Sequence, residues 1–214
     1  MATMPPTSKF DPRQLDLQRR ATYLKESLGR ALKLSSLLES GAGSYAAFSS
    51  LLKFIVESNH WGGCHDTSAV LFMLLSELNI KATLCIGEVQ AGDKYFDHSW
   101  VEVDGQVFDA AVCMPHESGR FVSGPVYAST DLMTGAPSEL GYGAPSGQGL
   151  DEAAKEVVGL DLMQYSALQG DLNIWILAVA MASRIGLPNQ TFEHFKRRYG
   201  STMRAFIQSN RSAL

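Results

Sequence analysis

The chain has 214 residues, of which 45% are hydrophobic and 19% are charged, and its formal net charge is −4. This length suits one domain with a substantial core. The balanced charge gives no electrostatic reason to expect a nucleic acid or a membrane as partner. Three cysteines are a poor disulfide framework and suit a reducing compartment. Because the first residues lack the apolar segment of a secretory signal, we expect a cytoplasmic protein.

The N-terminal part of the chain is predicted to be helical. Residues 1–10 are interpreted as a flexible tail, after which apolar residues recur at helical spacing. The predicted helices cover residues 11–40, 44–58 and 64–78. Gly41 and Gly43 are expected to break the chain between the first two helices. Apolar residues surround the third helix almost completely, which is typical of a buried central helix.

The next segment changes to β-strand character. Runs rich in β-branched and aromatic residues predict strands at residues 82–89, 98–103 and 106–112. Asp104-Gly105, between the last two strands, is a strong hairpin signal because both central positions of a type I′ turn need positive φ. We therefore expect an antiparallel sheet beside the central helix.

The remainder begins with a segment of unusual composition. Of the 35 residues at 115–149, 16 are Gly, Pro or Ser, and we interpret residues 113–150 as a long loop or lid. Helical patterns return at residues 151–160, 171–185 and 188–199. The order helices, strands, helices predicts an α+β fold. The predicted organisation is one domain over residues 11–214, with a core at 59–112 and C-terminal helices at 151–214.

Cys64 occupies a position where a thiol can become a nucleophile. A thiol reacts as the thiolate, so its pKa must be lowered. The first residue of a helix favours an anion through the helix dipole and the free N–H groups. The preceding Gly62 and Gly63 would allow a substrate to approach the backbone closely. The N–H of Cys64 could then bind the oxyanion of a tetrahedral intermediate.

The predicted hairpin places a base and an acid on one face. If Asp104-Gly105 is the turn, paired residue numbers sum to 209, and His98 lies opposite Ala111. Asp109 is then a diagonal neighbour of His98 on the same face, within reach of a hydrogen bond. A slip of one residue would move Asp109 to the other face. In this register His98 can accept the Cys64 proton while Asp109 orients the ring.

The chain combines Gly62-Gly63-Cys64, the strand His98-Ser99-Trp100-Val101-Glu102, and Phe108-Asp109. These stretches resemble the transglutaminase-like core, in which a cysteine opens a helix and a His-x-Trp-x-Glu strand and an aspartate follow. The resemblance covers residues 59–112. It is closest in appearance to the small bacterial branch that includes lasso-peptide maturation proteases. It implies an α+β, papain/transglutaminase-like fold with the nucleophile helix packed on an antiparallel sheet, and a Cys64-His98-Asp109 triad.

The second donor of the oxyanion hole departs from the pattern. Papain-like relatives often have a glutamine a few residues before the cysteine, and here none lies between Gln18 and Cys64. Asn59 or Trp61 could take its place, beside Gly63. Trp100 is interpreted as a core or wall residue next to the site.

A metal site is the alternative use of the nearby histidines. The candidate ligands are His60, Cys64, His65 and His98, but their spacing matches no common zinc pattern. Because Cys64 and His65 are adjacent on a helix, we expect them to point in different directions. We therefore predict no metal and no cofactor.

Other reactive side chains have simpler interpretations. Cys85 and Cys113 are expected to be buried structural thiols, since a free cysteine behaves as a small hydrophobe. The basic residues near the C-terminus are expected to form a solvated helix face, and they are Lys196, Arg197, Arg198, Arg204 and Arg211.

The sequence therefore predicts cysteine-dependent acyl transfer, with hydrolysis of a peptide or amide bond in a peptide or protein substrate as the leading hypothesis. Transfer to an amine, as in a transglutaminase or ligase, is the alternative within enzymes. A catalytically inactive, peptide-binding module is the alternative outside them. The sequence leaves the acceptor and the oligomeric state open, because triad chemistry is shared and pocket shape selects the acceptor.

Overall fold

A computed structural model describes residues 11–169, 173–187 and 190–208. The α-helices in these residues are α1 Leu17–Ser35, α2 Gly41–Glu57, α3 Cys64–Glu77, α4 Glu152–Val158, α5 Leu162–Ala167, α6 Ile174–Arg184 and α7 Phe192–Tyr199. The strands are β1 Thr83–Ala91, β2 Lys94–Val103, β3 Gln106–Phe108, β4 Val126–Tyr127, β5 Thr130–Asp131, β6 Gly141–Tyr142 and β7 Ala205–Phe206. The predicted α+β fold is confirmed. None of the described helices is long and apolar enough to cross a membrane.

The first residues of α1 and α2 are determined by local contacts of the side chains and the backbone. The side chain of Asp16 accepts a hydrogen bond from the N–H of Arg19 and caps α1, so α1 begins later than predicted. α2 begins at Gly41 rather than at residue 44. A Cβ at Gly41 would collide with the carbonyl of Ser35, so the residue read as a helix breaker allows α2 to start directly against the end of α1.

The central position of α3 follows from its apolar surface. Eight of its 14 residues are buried, from Thr67 to Leu75, and the helix packs against β2 on one side and α2 and α6 on the other. Helix α3, which begins at Cys64, therefore lies on the antiparallel sheet, as predicted, and the core continues into the helices on its other side.

The sheet has the order β3-β2-β1-β6, with β7 parallel to β1. β2 begins at Lys94, four residues before the predicted start, because it forms a long hairpin with β1 in which Ala91 pairs with Lys94. Gly92, at a φ of 62°, forms the turn. Four residues of β2, Lys94 to Asp97, thus precede His98 and pair continuously with β1.

The predicted register of the second hairpin is confirmed as far as Phe108. Val103 pairs with Gln106 and Val101 with Phe108, but β3 ends there instead of at residue 112. The predicted pairing of His98 with Ala111 is therefore wrong. Asp109 is responsible, since its Oδ1 accepts hydrogen bonds from the N–H groups of Ala111 and Val112, each at 3.0 Å, and turns the chain away from β2.

Residues 115–149 contain three two-residue strands within irregular chain. Tyr127 and Leu132 are completely buried, and β6 joins the edge of the main sheet by pairing with β1. The segment is therefore packed into the fold over much of its length. The predicted tail at 1–10 and Arg211 lie outside the described residues, as do the predicted starts of the helices at 171–185 and 188–199.

Candidate active site

Cys64 is the first residue of α3 and is partly exposed. The two glycines before it lie against other residues of the protein. Gly62 has a φ of 67° and donates its N–H to the carbonyl of Met114 at 3.0 Å. A Cβ on Gly63 would collide with the imidazole of His60. The glycines therefore fix the approach of the loop to α3, a packing reason that differs from the substrate contact expected from the sequence.

His98 and Asp109 are brought together in the interior. The Nε2 atom of His98 lies 2.7 Å from Oδ2 of Asp109, and both side chains are buried. The short extension of the chain past β3 places Asp109 on the predicted face even though the strand has ended. Since Nε2 is occupied by the carboxylate, the other ring nitrogen of His98 is the one available to Cys64.

The electrostatics of the pair favour separated charges. Burial alone would raise the pKa of Cys64, but the charges of and hydrogen bonds from His65 and His98 outweigh it and hold this pKa well below its usual value. For His98, burial would lower the pKa, and the carboxylate of Asp109 and the thiolate of Cys64 outweigh it and raise the pKa. The two shifts act in the same direction, and both favour a thiolate at Cys64 beside an imidazolium at His98.

His65 is a functional neighbour that the sequence reasoning missed. It was expected to point away from Cys64, yet its ring contributes to the lowered pKa of Cys64. The hydroxyl of Ser99 lies 2.7 Å from Nδ1 of His65 and holds the ring against β2. Ser99 follows His98 directly, so neighbouring residues of one strand position the two histidines beside the thiol.

Tyr142 is a second residue that the sequence did not indicate. Its hydroxyl donates to Oδ2 of Asp109 at 2.9 Å, so this carboxylate has four hydrogen-bond partners among the residues that the structure describes. Burial and the charge of Asp109 raise the pKa of Tyr142 well above its usual value, which keeps the hydroxyl a donor. Tyr142 lies beside Asp109 because β6 pairs with β1, and no local sequence pattern predicts that pairing.

Arg204 corrects the prediction of a solvated basic C-terminus. Its side chain is only 4% exposed, its Nη2 donates to the carbonyl of His65 at 3.2 Å, and its guanidinium lies 4.3 Å from the ring centre of Tyr165. Its Nε and Nη1 are buried and have no hydrogen-bond partner among the described residues. Asp66, the acid beside it, already accepts from Tyr165 and Gln169. Burial lowers the pKa of Arg204, and the charges of Tyr165, Cys64 and Asp66 oppose this shift, so the guanidinium and a thiolate at Cys64 favour each other.

Removing this charge should make the Cys64 thiol less acidic. We expect Arg204→Met to slow alkylation by iodoacetamide several-fold at pH 6 and to shift the pH profile of alkylation upward, because a nearby cation favours the thiolate. Arg204→Lys should retain most of the effect, and Arg197→Met, at an exposed position, should have none. A changed melting temperature with an unchanged pH profile would contradict this expectation.

The proposed donors of the oxyanion hole occupy different environments. Asn59 has a φ of 55° where α2 ends, and the N–H of the next residue, His60, donates to the carbonyl of Ile55, so Asn59 serves to terminate the helix. Trp61 is 43% exposed, and Gly63 directly precedes Cys64. Trp100 is completely buried and donates from Nε1 to Glu102 at 3.2 Å, so it belongs to the core rather than to a substrate-facing wall.

The histidines that were candidate metal ligands beside Cys64 have other contacts. Within the part of the chain that the structure describes, no group of three or more His, Cys, Asp or Glu side chains is arranged to hold a metal ion. His98 and His65 are already hydrogen-bonded to protein side chains, and His60 lies 3.9 Å from its nearest acid, Asp66.

A pocket of about 290 Å³ opens beside Cys64 and His98. Residues 94–98 of β2 form one side, and the chain from residue 111 to 122 forms the other. Cys64 and His98 both line this pocket, together with Gly62.

A comparison with family models gives a match to the transglutaminase-like superfamily over residues 13–121, about half of the chain. The chain belongs to the transglutaminase-like superfamily. Curated proteins and solved structures give no significant match. The transglutaminase-like match contains Cys64, His98 and Asp109 and ends before Tyr142 and Arg204, and it does not distinguish among branches of the superfamily.

Proposed function

We propose that this transglutaminase-like protein is a cysteine-dependent enzyme that hydrolyses peptide or amide bonds. The observation that carries the proposal is the buried hydrogen bond between His98 and Asp109 beside a thiol of lowered pKa at the start of a helix. Superfamily membership supports it, since the superfamily includes cysteine proteases and acyltransferases. Cys64 is the nucleophile, His98 the base and acid, and Asp109 the residue that orients His98.

The reaction follows from these roles. The thiolate of Cys64 attacks the substrate carbonyl, and the tetrahedral intermediate collapses as His98 gives its proton to the departing amine. This leaves a thioester on Cys64. A water molecule, deprotonated by His98, then attacks the thioester and releases the carboxylic acid and the thiolate. Asp109 keeps the imidazole ring in the orientation that both proton transfers need.

The oxyanion requires donors near Cys64. The N–H of Cys64 lies in the first turn of α3, where no helical carbonyl is available to it, and it is the first donor in this mechanism. Trp61 is the better supported of the two predicted side chains for the second donor, because it is partly exposed while Asn59 terminates α2. Gly63 contributes by holding the loop close to His60.

The alternative reactions differ in the molecule that accepts the acyl group from Cys64. Water is favoured because exposed side chains such as Lys94 and Arg120 line the pocket, which leaves a thioester accessible to solvent. Amine transfer and an inactive peptide-binding module are the alternative hypotheses. The lasso-peptide protease branch remains part of the hydrolysis proposal.

We further propose that the chain from residue 11 onward works as one domain. The support is that β7, near the end of the described chain, pairs with β1 in the sheet that carries His98. The basic residue just before β7, Arg204, also contacts the first turn of α3. Removing the C-terminal helices would therefore expose the catalytic core rather than release a separate unit.

The test is incubation of the protein with a tryptic digest of casein and with monodansylcadaverine, followed by mass spectrometry. New peptide termini with the wild type and none with Cys64→Ala would support hydrolysis, and Cys85→Ala should behave as the wild type because Cys85 is buried. Dansyl-labelled peptides would instead support amine transfer. Neither product, from a protein whose Cys64 still reacts rapidly with iodoacetamide at pH 6, would favour the binding module.

A further inference from the structure

The strand that carries His98 has an unpaired edge beside the nucleophile. β1 pairs with β2 along its whole length, from Lys94 to Glu102, but β3 pairs only with residues 101–103. No other strand in the described residues pairs with β2 on the β3 side. Alternate residues of the segment 94–100 therefore direct their N–H and C=O groups away from β1 without a strand partner.

This free edge forms one side of the pocket that contains Cys64. Residues 94–98 line it continuously, and the opposite wall contains the apolar residues Ala111, Val112, Met114, Pro115 and Val122 beside His116, Gly119 and Arg120. An extended peptide laid along the edge would gain main-chain hydrogen bonds, as in other cases of strand addition. We expect an apolar side chain to face the apolar part of the opposite wall, because an unpaired polar group would lose its hydration there.

The rim of the pocket carries positive charge. Lys94 and Arg120 are exposed, and neither forms an ion pair with any residue that the structure describes. Asp97 is the acid of the lining, and its Oδ2 already accepts a hydrogen bond from the N–H of Asp151 at 2.8 Å. Burial also raises the pKa of Asp97. The local field therefore favours an anion, although the whole chain has a net charge of −4.

We propose that the substrate is a peptide that adds as an extended strand to the free edge of β2, with an apolar residue at the scissile carbonyl and acidic residues flanking it. The apolar residue is assigned to the scissile position because Cys64 and His98 themselves line the pocket. The proposal rests on the proposed function for the meaning of that carbonyl, but the binding mode is testable without turnover. It favours a backbone carbonyl over the side-chain amide of a glutamine, which would place a polar group against the apolar wall.

Binding is measured with the Cys64→Ala protein and fluorescein-labelled peptides by fluorescence anisotropy. The parent peptide has one leucine flanked on each side by two glutamates, and the comparison peptides replace the glutamates by lysines or the leucine by serine. We expect the parent to bind about tenfold more tightly than either, since two exposed ion pairs and one buried side chain each contribute modestly. N-methylation of alternate backbone amides of the parent should abolish binding, because it removes the donors of strand addition.

Reversing the charges of Lys94 and Arg120 tests whether the rim selects acidic peptides. Lys94→Glu/Arg120→Glu should invert the preference, so that the lysine peptide binds better than the glutamate peptide. Lys53→Glu/Arg184→Glu changes the net charge equally at exposed positions outside the pocket and should leave the order unchanged. Equal affinities for all peptides, an order unaffected by rim reversal, or no binding at millimolar protein would overturn the proposal. Tight binding of the parent that wild type never cleaves would instead count against the proposed function alone.

Discussion

Replacing Asp109 by asparagine should slow alkylation of Cys64 at neutral pH, and any peptide hydrolysis, by about a hundredfold or more. Oδ1 of Asp109 is fixed by the N–H groups of Ala111 and Val112, so the amide oxygen of the asparagine should keep that place. The NH2 group would then face Nε2 of His98 and donate to it. The ring proton would be forced onto the nitrogen next to Cys64, and the imidazole could no longer accept the thiol proton.

Rates of iodoacetamide alkylation between pH 5 and pH 9, read by intact mass, measure this effect. Tyr142→Phe is the matched control, because it removes one hydrogen bond from Asp109 but keeps the carboxylate. We expect it to cost less than tenfold. Alkylation of Asp109→Asn at the wild-type rate at pH 6 would show that Cys64 does not depend on the His98 tautomer, and the triad assignment would then be wrong.

Glu77→Gln should lower the free energy of unfolding at pH 7 by about 2–3 kcal/mol. Glu77 ends α3, its side chain is almost completely buried, and its carboxylate accepts from His194 at 2.9 Å and from Tyr199 at 2.7 Å. Gln190 donates to its other oxygen at 2.7 Å, and Arg198 lies 3.3 Å away. One carboxylate thus links α7 to the central helix. In Glu77→Gln the amide NH2 group would face side chains that are themselves donors, so hydrogen bonds would be lost.

The same site predicts how stability depends on pH. Burial would raise the pKa of Glu77, but hydrogen bonds from His194 and Tyr199 outweigh it and lower the pKa. A depressed pKa in the folded state means that the stabilisation is complete above the ordinary carboxyl pKa and is lost as pH falls through the lowered value. Urea unfolding of the wild type and Glu77→Gln should therefore converge at acid pH.

Glu193→Gln, in the first turn of α7 and exposed, is the control for loss of a carboxylate. It should change stability by less than about 0.5 kcal/mol. If Glu77→Gln unfolds at the same urea concentration as Glu193→Gln at pH 7, the cluster around Glu77 contributes nothing to the attachment of α7.

The residues predicted from the sequence were those whose relation is local. Cys64 follows from a helix start after two glycines, and the relation of His98 to Asp109 follows from a two-residue turn and the period of a strand. The predicted register failed only beyond Phe108. There the side chain of Asp109 accepts hydrogen bonds from the backbone that follows it, and these bonds replace strand pairing. The alternation of residues along a strand gives no indication of such a bond.

The residues around the proposed triad were not predictable in the same way. Tyr142 reaches Asp109 through a two-residue strand, and Arg204 reaches His65 from a segment 139 residues away. Neither contact corresponds to a recognisable spacing in the sequence, and Arg204 was assigned to a solvated helix face because it was grouped with the other basic residues near the C-terminus. His65 was dismissed by helix geometry alone, since the hydroxyl of Ser99 that holds its ring belongs to another element.

The contact between Arg204 and His65 also bears on when the site becomes functional as the chain folds. Helix α3 and the two hairpins join residues that are close in sequence, and such contacts form early. The loop closed by Arg204 is among the longest in the protein, and its entropic cost must be met before the guanidinium can lie beside Tyr165. The arrangement of Cys64, His98 and Asp109 can therefore form before Arg204 reaches His65, and we expect the contribution of Arg204 to the acidity of the thiol to be added late in folding, after β7 has docked on β1.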